Sequence, residues 1–306
     1  MTPAAERILA GDRRALARAA TAVENRTPEA RALLAELFAN TGRAFTIGIT
    51  GPPGAGKSTL TSQLTSVLRQ EGHTVGIIAV DPSSPFTGGA ILGDRIRMQA
   101  HYSDPGVFIR SMATRGNLGG IAEATADLAL LLDAAGFDTI LIETVGVGQD
   151  EVEIASLADV TLVVLVPGMG DDVQAIKAGI MEIADLFVLN KADQPGIERL
   201  EREVEFLLQL SEKPDGGRPG IVRTVASDGT GMGEVLGRAR AARKPVSRKL
   251  AWRGRLRNML RERLMEKLPE KVLEQGAQRV AAREVDPYSL VAEWVERIDR
   301  GKPISD

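Results

Sequence analysis

The most specific chemistry in the chain sits in the run Phe-Thr-Ile-Gly-Ile-Thr-Gly-Pro-Pro-Gly-Ala-Gly-Lys-Ser-Thr from Phe45 to Thr59. Gly51, Gly56, Lys57 and Ser58 satisfy G-x-x-x-x-G-K-[ST], a loop that cradles nucleoside phosphates. Its glycines let backbone N–H groups converge on phosphate oxygens, Lys57 brings a point charge to the β- and γ-phosphates, and the Ser58 hydroxyl can ligate Mg²⁺. The expected nucleotide contacts on this loop are Gly51, Pro53, Gly54, Ala55, Gly56, Lys57, Ser58 and Thr59.

A phosphate loop does not distinguish ATP from GTP, so the element that reads the base decides the class. Asn190-Lys191-Ala192-Asp193 follows an apolar strand-like run and matches N-K-x-D. The Asp193 carboxylate can accept from guanine N1–H and the 2-amino group, a bidentate pairing that adenine lacks. Lys191 packs its stem over the base, and Asn190 ties this loop to the phosphate loop. Carboxylates at strand ends or between glycines complete the metal candidates: Asp81, Asp94 and Glu143, beside Ser58. Mg²⁺ commonly takes one or two protein oxygens and draws the rest from phosphate and water. Glu143-Thr144-Val145-Gly146 stands where many GTPases have D-x-x-G, with the Gly146 N–H reading the γ-phosphate. Lys57, Asp94 and Glu143 are therefore the candidate catalytic residues. Val147 stands where a water-orienting Gln would sit, which predicts slow hydrolysis until a partner orders the loops. Arg95, Arg97, Arg115 and Lys177 are candidates for charge compensation, or else plain surface charge.

These residues need a scaffold, and the apolar runs supply one. Candidate strands are 45–50, 75–81, 107–112, 138–143, 160–166, 186–190 and 221–225. Their near-continuous apolar character predicts an α/β fold with a mostly parallel sheet buried on both faces, whose ligand site lies beyond the carboxyl ends of the strands. Lys57, Asp81, Glu143 and Asn190 all follow or end such runs. Residues 1–43 read as an N-terminal helical extension of two helices, the second opened by Thr27-Pro28 as N-cap and first helical residue. Residues 44–240 read as the nucleotide domain. Residues 241–306 read as helical, with Leu256, Met259, Leu260 and Leu264 on one face and Leu290, Val291, Trp294, Val295 and Ile298 turned inward on a last helix opened by Asp286-Pro287.

Composition narrows the class further. The chain has 306 residues, 43% hydrophobic and 26% charged, with formal charge −3, no cysteine and two histidines. Disulfides, thiol nucleophiles and thiolate or multi-histidine metal sites are thereby excluded, so metal chemistry rests on oxygen ligands. No apolar run is long enough to span a bilayer and the N-terminus leads into no signal-like segment, which predicts a cytoplasmic protein without membrane contact. Basic residues gather between Val235 and Arg261, but nearly without aromatics, so nucleic acid is not an expected partner.

Several longer runs resemble the methylmalonyl-CoA mutase-associated GTPases, the MeaB/ArgK group of P-loop GTPases. They are Val80 to Pro85, Gly88 to Met98, Ser111 to Gly116, Glu143 to Gln149, Gly168 to Gln174 and Asn190 to Asp193. The resemblance covers essentially the whole chain. It implies a homodimeric GTPase, using GTP/GDP and Mg²⁺, that acts as a chaperone for an adenosylcobalamin-dependent acyl-CoA mutase in cofactor loading and protection. It also implies that Asp81, Asp94 and Glu143 serve Mg²⁺ and that the Gly168 to Lys177 segment is a further switch. Where the family's base-contacting turn often reads Ser-Ala, this chain has Val225-Ala226-Ser227; the Ala226 N–H remains placed for the guanine oxygen. Two alternatives stay open on the residues: a P-loop metabolite kinase, and a metallochaperone GTPase.

Overall fold

Short runs of β-branched and aliphatic residues form the strands, and on the inner strands almost every side chain is buried, as required when helices cover both faces of a sheet. The computed structural model describes residues 1–81, 98–113, 118–144, 157–168, 183–210, 218–243, 248–265 and 267–300. The strands are β1 (Phe45–Thr50), β2 (Val75–Asp81), β3 (Val107–Ala113), β4 (Thr139–Glu143), β5 (Val160–Leu165), β6 (Leu186–Leu189) and β7 (Gly220–Arg223). They form one sheet in the order β3-β2-β4-β1-β5-β6-β7, every neighbouring pair parallel. The α/β architecture read from the sequence is therefore present, and each predicted strand falls within about two residues of its place.

Strand β1 lies between β4 and β5, where the chain turns from building one half of the sheet to building the other. Ligands of such sheets bind at that reversal, beyond the carboxyl ends. Register brings the ends together: Ile49 pairs with Glu143, and Ala79 pairs with Glu143 from the other side.

Alternate strand residues face opposite layers. Leu162 and Val164 pack with α4 (Lys57–Gln70) and its neighbours, whereas Val163 and Leu165 pack with α6 (Ile197–Leu210). Beside α4 lies α7 (Met232–Ala242), which buries Met232, Val235, Leu236 and Ala239. On the other side of β2, β3 and β4 lies α5 (Leu118–Ala134). This helix is apolar on nearly all sides, which a surface helix would not tolerate. The reason is a further layer outside it: α1 (Pro3–Leu9), α2 (Arg13–Glu24) and α3 (Pro28–Leu37) share one core with α5 and with Ile78, Phe108, Met112 and Ile142.

The N-terminal segment holds three helices rather than the two expected. Thr2 and Pro3 open α1 by the chemistry that Thr27 and Pro28 use for α3: a threonine hydroxyl accepting a first-turn N–H, followed by proline. The link from α3 to β1 is held by Asp133 of α5, whose carboxylate accepts from the N–H groups of Gly42, Arg43 and Ala44.

Residues Pro245–Asp306 form a second compact unit, after Met1–Lys244. It contains α8 (Arg248–Met265), α9 (Glu270–Ala281) and α10 (Pro287–Asp299), the last capped by Asp286. Helices α9 and α10 pack closely at Gly276, where a Cβ would stand 2.5 Å from the Trp294 ring. Leu290 is buried here, but Val291 and Val295 are about half exposed, at 53% and 52%. The sequence placed both inward. The contact at Gly276 takes up Leu290 and Trp294, whereas helical periodicity alone does not say how much of an apolar face a neighbour covers. Among the described residues no helix is long and apolar enough to cross a membrane.

Candidate nucleotide site

The phosphate loop leaves β1 at Thr50 and enters α4 at Lys57. Two of its glycines are dictated by neighbours. Gly51 has φ +136° and a Cβ there would lie 2.2 Å from the Val164 carbonyl of β5; Gly56 has φ +89° and a Cβ would lie 2.5 Å from Asn190 Nδ2. Any larger residue would force the loop off the sheet edge. Lys57 is buried, and its Nζ donates to the carbonyls of Gly51 (2.6 Å) and Pro52 (3.0 Å), so the ammonium lies along the inner curve of the loop. Pro53, Gly54 and Thr59 are exposed, while the Ala55 methyl enters the core and anchors the loop's middle. The first turn of α4 has no side-chain cap. Its N–H groups and its dipole favour an anion there.

Beside this turn stands Glu143, the last residue of β4 and 5% exposed. Ser58 Oγ donates to Glu143 Oε1 at 2.6 Å and Thr61 Oγ1 lies 3.0 Å from Oε2. The next residue, Thr144, is buried and donates its hydroxyl to Thr50 Oγ1 at 3.0 Å. The end of β4 is thus bonded to both ends of the phosphate loop. An oxygen-only pair of hydroxyl and carboxylate beside an anion-favouring helix end fits Mg²⁺. Mg²⁺ takes one or two protein oxygens and draws its remaining ligands from phosphate and water. Asp81 ends β2, two residues beyond the pairing partner of Glu143; its side chain lies outside the described residues. So do Asp94, Gly146, Val147, Arg95, Arg97, Arg115 and Lys177.

The second loop follows β6. Asn190 is 2% exposed and uses both ends of its amide: Nδ2 donates to the Ala55 carbonyl (2.9 Å), and Oδ1 accepts from the Ala226 N–H (3.0 Å) and Thr224 Oγ1 (3.2 Å). One side chain therefore joins the phosphate loop, the N-K-x-D loop and the turn after β7. Lys191 takes a left-handed backbone, φ 55°, which turns the chain at once so that Asp193 stands exposed above the sheet edge. Val225 bridges to Thr230, closing the turn that holds Ala226 and Ser227. Ala226 is buried and its N–H is already engaged by Asn190. The same N–H is the one expected to meet a guanine oxygen. Ser227, the next residue, is exposed.

Thr61, Thr144 and Thr224 were not singled out by sequence. Each lies within three residues of a motif residue, which is the one local signal that marks them.

The family model for the methylmalonyl-CoA mutase-associated GTPase MeaB matches residues 16–289. The chain belongs to the MeaB family. Relatives support the assignment. A protein of Pyrococcus abyssi named as a GTPase is 54% identical over 246 residues, covering 79% of this chain and 76% of that protein. The GTPase ArgK of Escherichia coli is 41% identical over 237 residues, covering 75% and 72%. The mouse methylmalonic aciduria type A homolog, a mitochondrial protein, is 39% identical over 246 residues, covering 74% of this chain and 59% of its own. A solved structure described as LAO/AO transport system kinase superposes with TM-score 0.69 at 29% identity, covering 97% and 96%. This MeaB-family chain is a P-loop GTPase that binds guanine nucleotide and hydrolyses GTP.

Proposed function

We propose that this GTPase is a nucleotide-dependent chaperone for an adenosylcobalamin-dependent acyl-CoA mutase, acting as a homodimer in the cytoplasm. The observation that carries the nucleotide half of this reading is the Asn190 amide. It makes the phosphate-reading and base-reading loops one rigid unit, so that a nucleotide spanning both can bias the rest of the molecule. The mutase half rests on the family description alone.

In this reading Asp193 accepts the guanine N1–H and 2-amino hydrogens, and the base itself covers the exposed carboxylate. Lys57 and the first-turn N–H groups of α4 meet the β- and γ-phosphates. Ser58 and Glu143, with Asp81 and Asp94, hold Mg²⁺, which when bound neutralises charge developing on the transferring phosphoryl group. Glu143 is a buried carboxylate with two hydroxyls on it, so its part is to orient Ser58 rather than to carry away a proton. With Val147 in place of a water-orienting side chain, intrinsic hydrolysis is slow, and the client mutase completes the site by ordering the loops.

The test is direct. GTP and GDP should bind in preference to ATP, turnover should rise when the client mutase is added, and the mutase should co-purify with the GTP-analogue-loaded form. ATP preference, with phosphate passed to a small-molecule acceptor, would instead make the protein a kinase. Fast turnover unaffected by any acyl-CoA mutase would remove the chaperone role while leaving the GTPase.

A further inference from the structure

Helix α4 carries two buried threonines whose hydroxyls do what helix threonines ordinarily do. Thr61 Oγ1 lies 2.9 Å from the Lys57 carbonyl and Thr65 Oγ1 lies 2.7 Å from the Thr61 carbonyl, each four residues back. Such back-bonding satisfies a buried hydroxyl locally and needs no further purpose. Thr61 differs from Thr65 in a second contact, since its hydroxyl also lies 3.0 Å from Glu143 Oε2. The residue is 0% exposed and stands one helical turn after Ser58, on the same face.

A hydroxyl has one hydrogen, and both neighbours of Thr61 Oγ1 are acceptors, so that hydrogen is shared between a neutral carbonyl and a carboxylate. The charged acceptor makes the stronger bond. Ser58 holds the other carboxylate oxygen, so two hydroxyls grip Glu143, one on each oxygen, which fixes the plane of the carboxyl group. A serine hydroxyl that donates its hydrogen to a carboxylate can offer an oxygen lone pair to a cation.

We propose that Thr61 is a positioning residue for the Mg²⁺ site: it holds Glu143 in the rotamer that directs the Ser58 hydroxyl toward the cation. The inference rests on the proposed placement of Mg²⁺ at Ser58 and Glu143. Partners that orient a metal ligand typically control metal affinity by about 10- to 100-fold.

Binding of a fluorescent GDP analogue is titrated against free Mg²⁺ for the full-length chain and for Thr61→Val, Thr61→Ala and Thr61→Ser, and repeated in EDTA. The expected result is a Mg²⁺ midpoint raised about tenfold in Thr61→Val and Thr61→Ala. Thr61→Ser, which keeps the hydroxyl, stays at the wild-type midpoint, and affinity in EDTA is the same for all four. The alanine variant decides the matter if valine does not fold, because it only removes atoms. Valine and alanine midpoints equal to wild type overturn the role of Thr61. So does equal weakening with and without Mg²⁺, which would mark a merely structural threonine. A wild-type chain whose nucleotide affinity ignores Mg²⁺ overturns the placement of the ion itself, a different failure.

Discussion

The two ends of the nucleotide site are built in opposite ways. At the phosphate end, Lys57, Ser58, Glu143 and Thr144 are buried and bonded to one another or to the loop. At the base end Asn190, Thr224 and Ala226 are buried, and Asp193 and Ser227 stand in solvent. Phosphate is common to every nucleotide, so its cradle gains from rigidity, since less ordering is needed on binding. Discrimination of the base gains from the reverse. A carboxylate that is solvated when free and covered only by the correct base rejects the wrong one by being left unpaired beneath it.

The largest expected effect comes from cutting the one side chain that joins the two ends. Asn190→Ala leaves the Ala226 N–H and the Ala55 carbonyl without that partner and should cost about 3 kcal/mol of stability, with GTP binding weakened at least as strongly. Chemical denaturation and nucleotide titration read both; loss of binding with full stability would mean the ends are not mechanically joined. Asp193→Asn comes next. Losing a charge-assisted pairing should weaken GTP by about 1.5–3 kcal/mol and favour xanthosine triphosphate, while stability changes by less than about 0.5 kcal/mol because the side chain is exposed. Unchanged GTP affinity would refute Asp193 as the reader of guanine. Ser227→Ala is the smallest: GTP affinity should move by less than about 0.5 kcal/mol, and a larger loss would place a side-chain contact on the open end.

A gentler measure distinguishes the surroundings of α4 from the site. Asp104 is held below its ordinary carboxylate range, first by hydrogen bonds from Arg69 and then by the Gly106 N–H. Its folded value lies below the unfolded one, so its contribution to stability is complete above the ordinary value of 3.8 and is lost as pH falls through the lowered one. Asp104→Asn should therefore flatten the acid limb of the stability curve and leave nucleotide binding at neutral pH unchanged.

Much of the molecule is written in short stretches of sequence. The phosphate loop, the N-K-x-D loop, the strand runs and the caps at Thr27-Pro28 and Asp286-Pro287 are legible because each rests on geometry closed within a few residues: a left-handed glycine, a hydroxyl over a first-turn N–H, an apolar run. The tertiary structure alone decided which hydroxyl meets which carboxylate. Thr61 and Glu143 are 82 positions apart, and only the register of β4 on β1 brings them together. The same holds for the Ala226 N–H taken by Asn190, for an α5 buried from two sides, and for Val291 and Val295 left half exposed on α10. Sequence periodicity says that a face is apolar; what covers that face is settled by elements far along the chain, whose arrival no local pattern records.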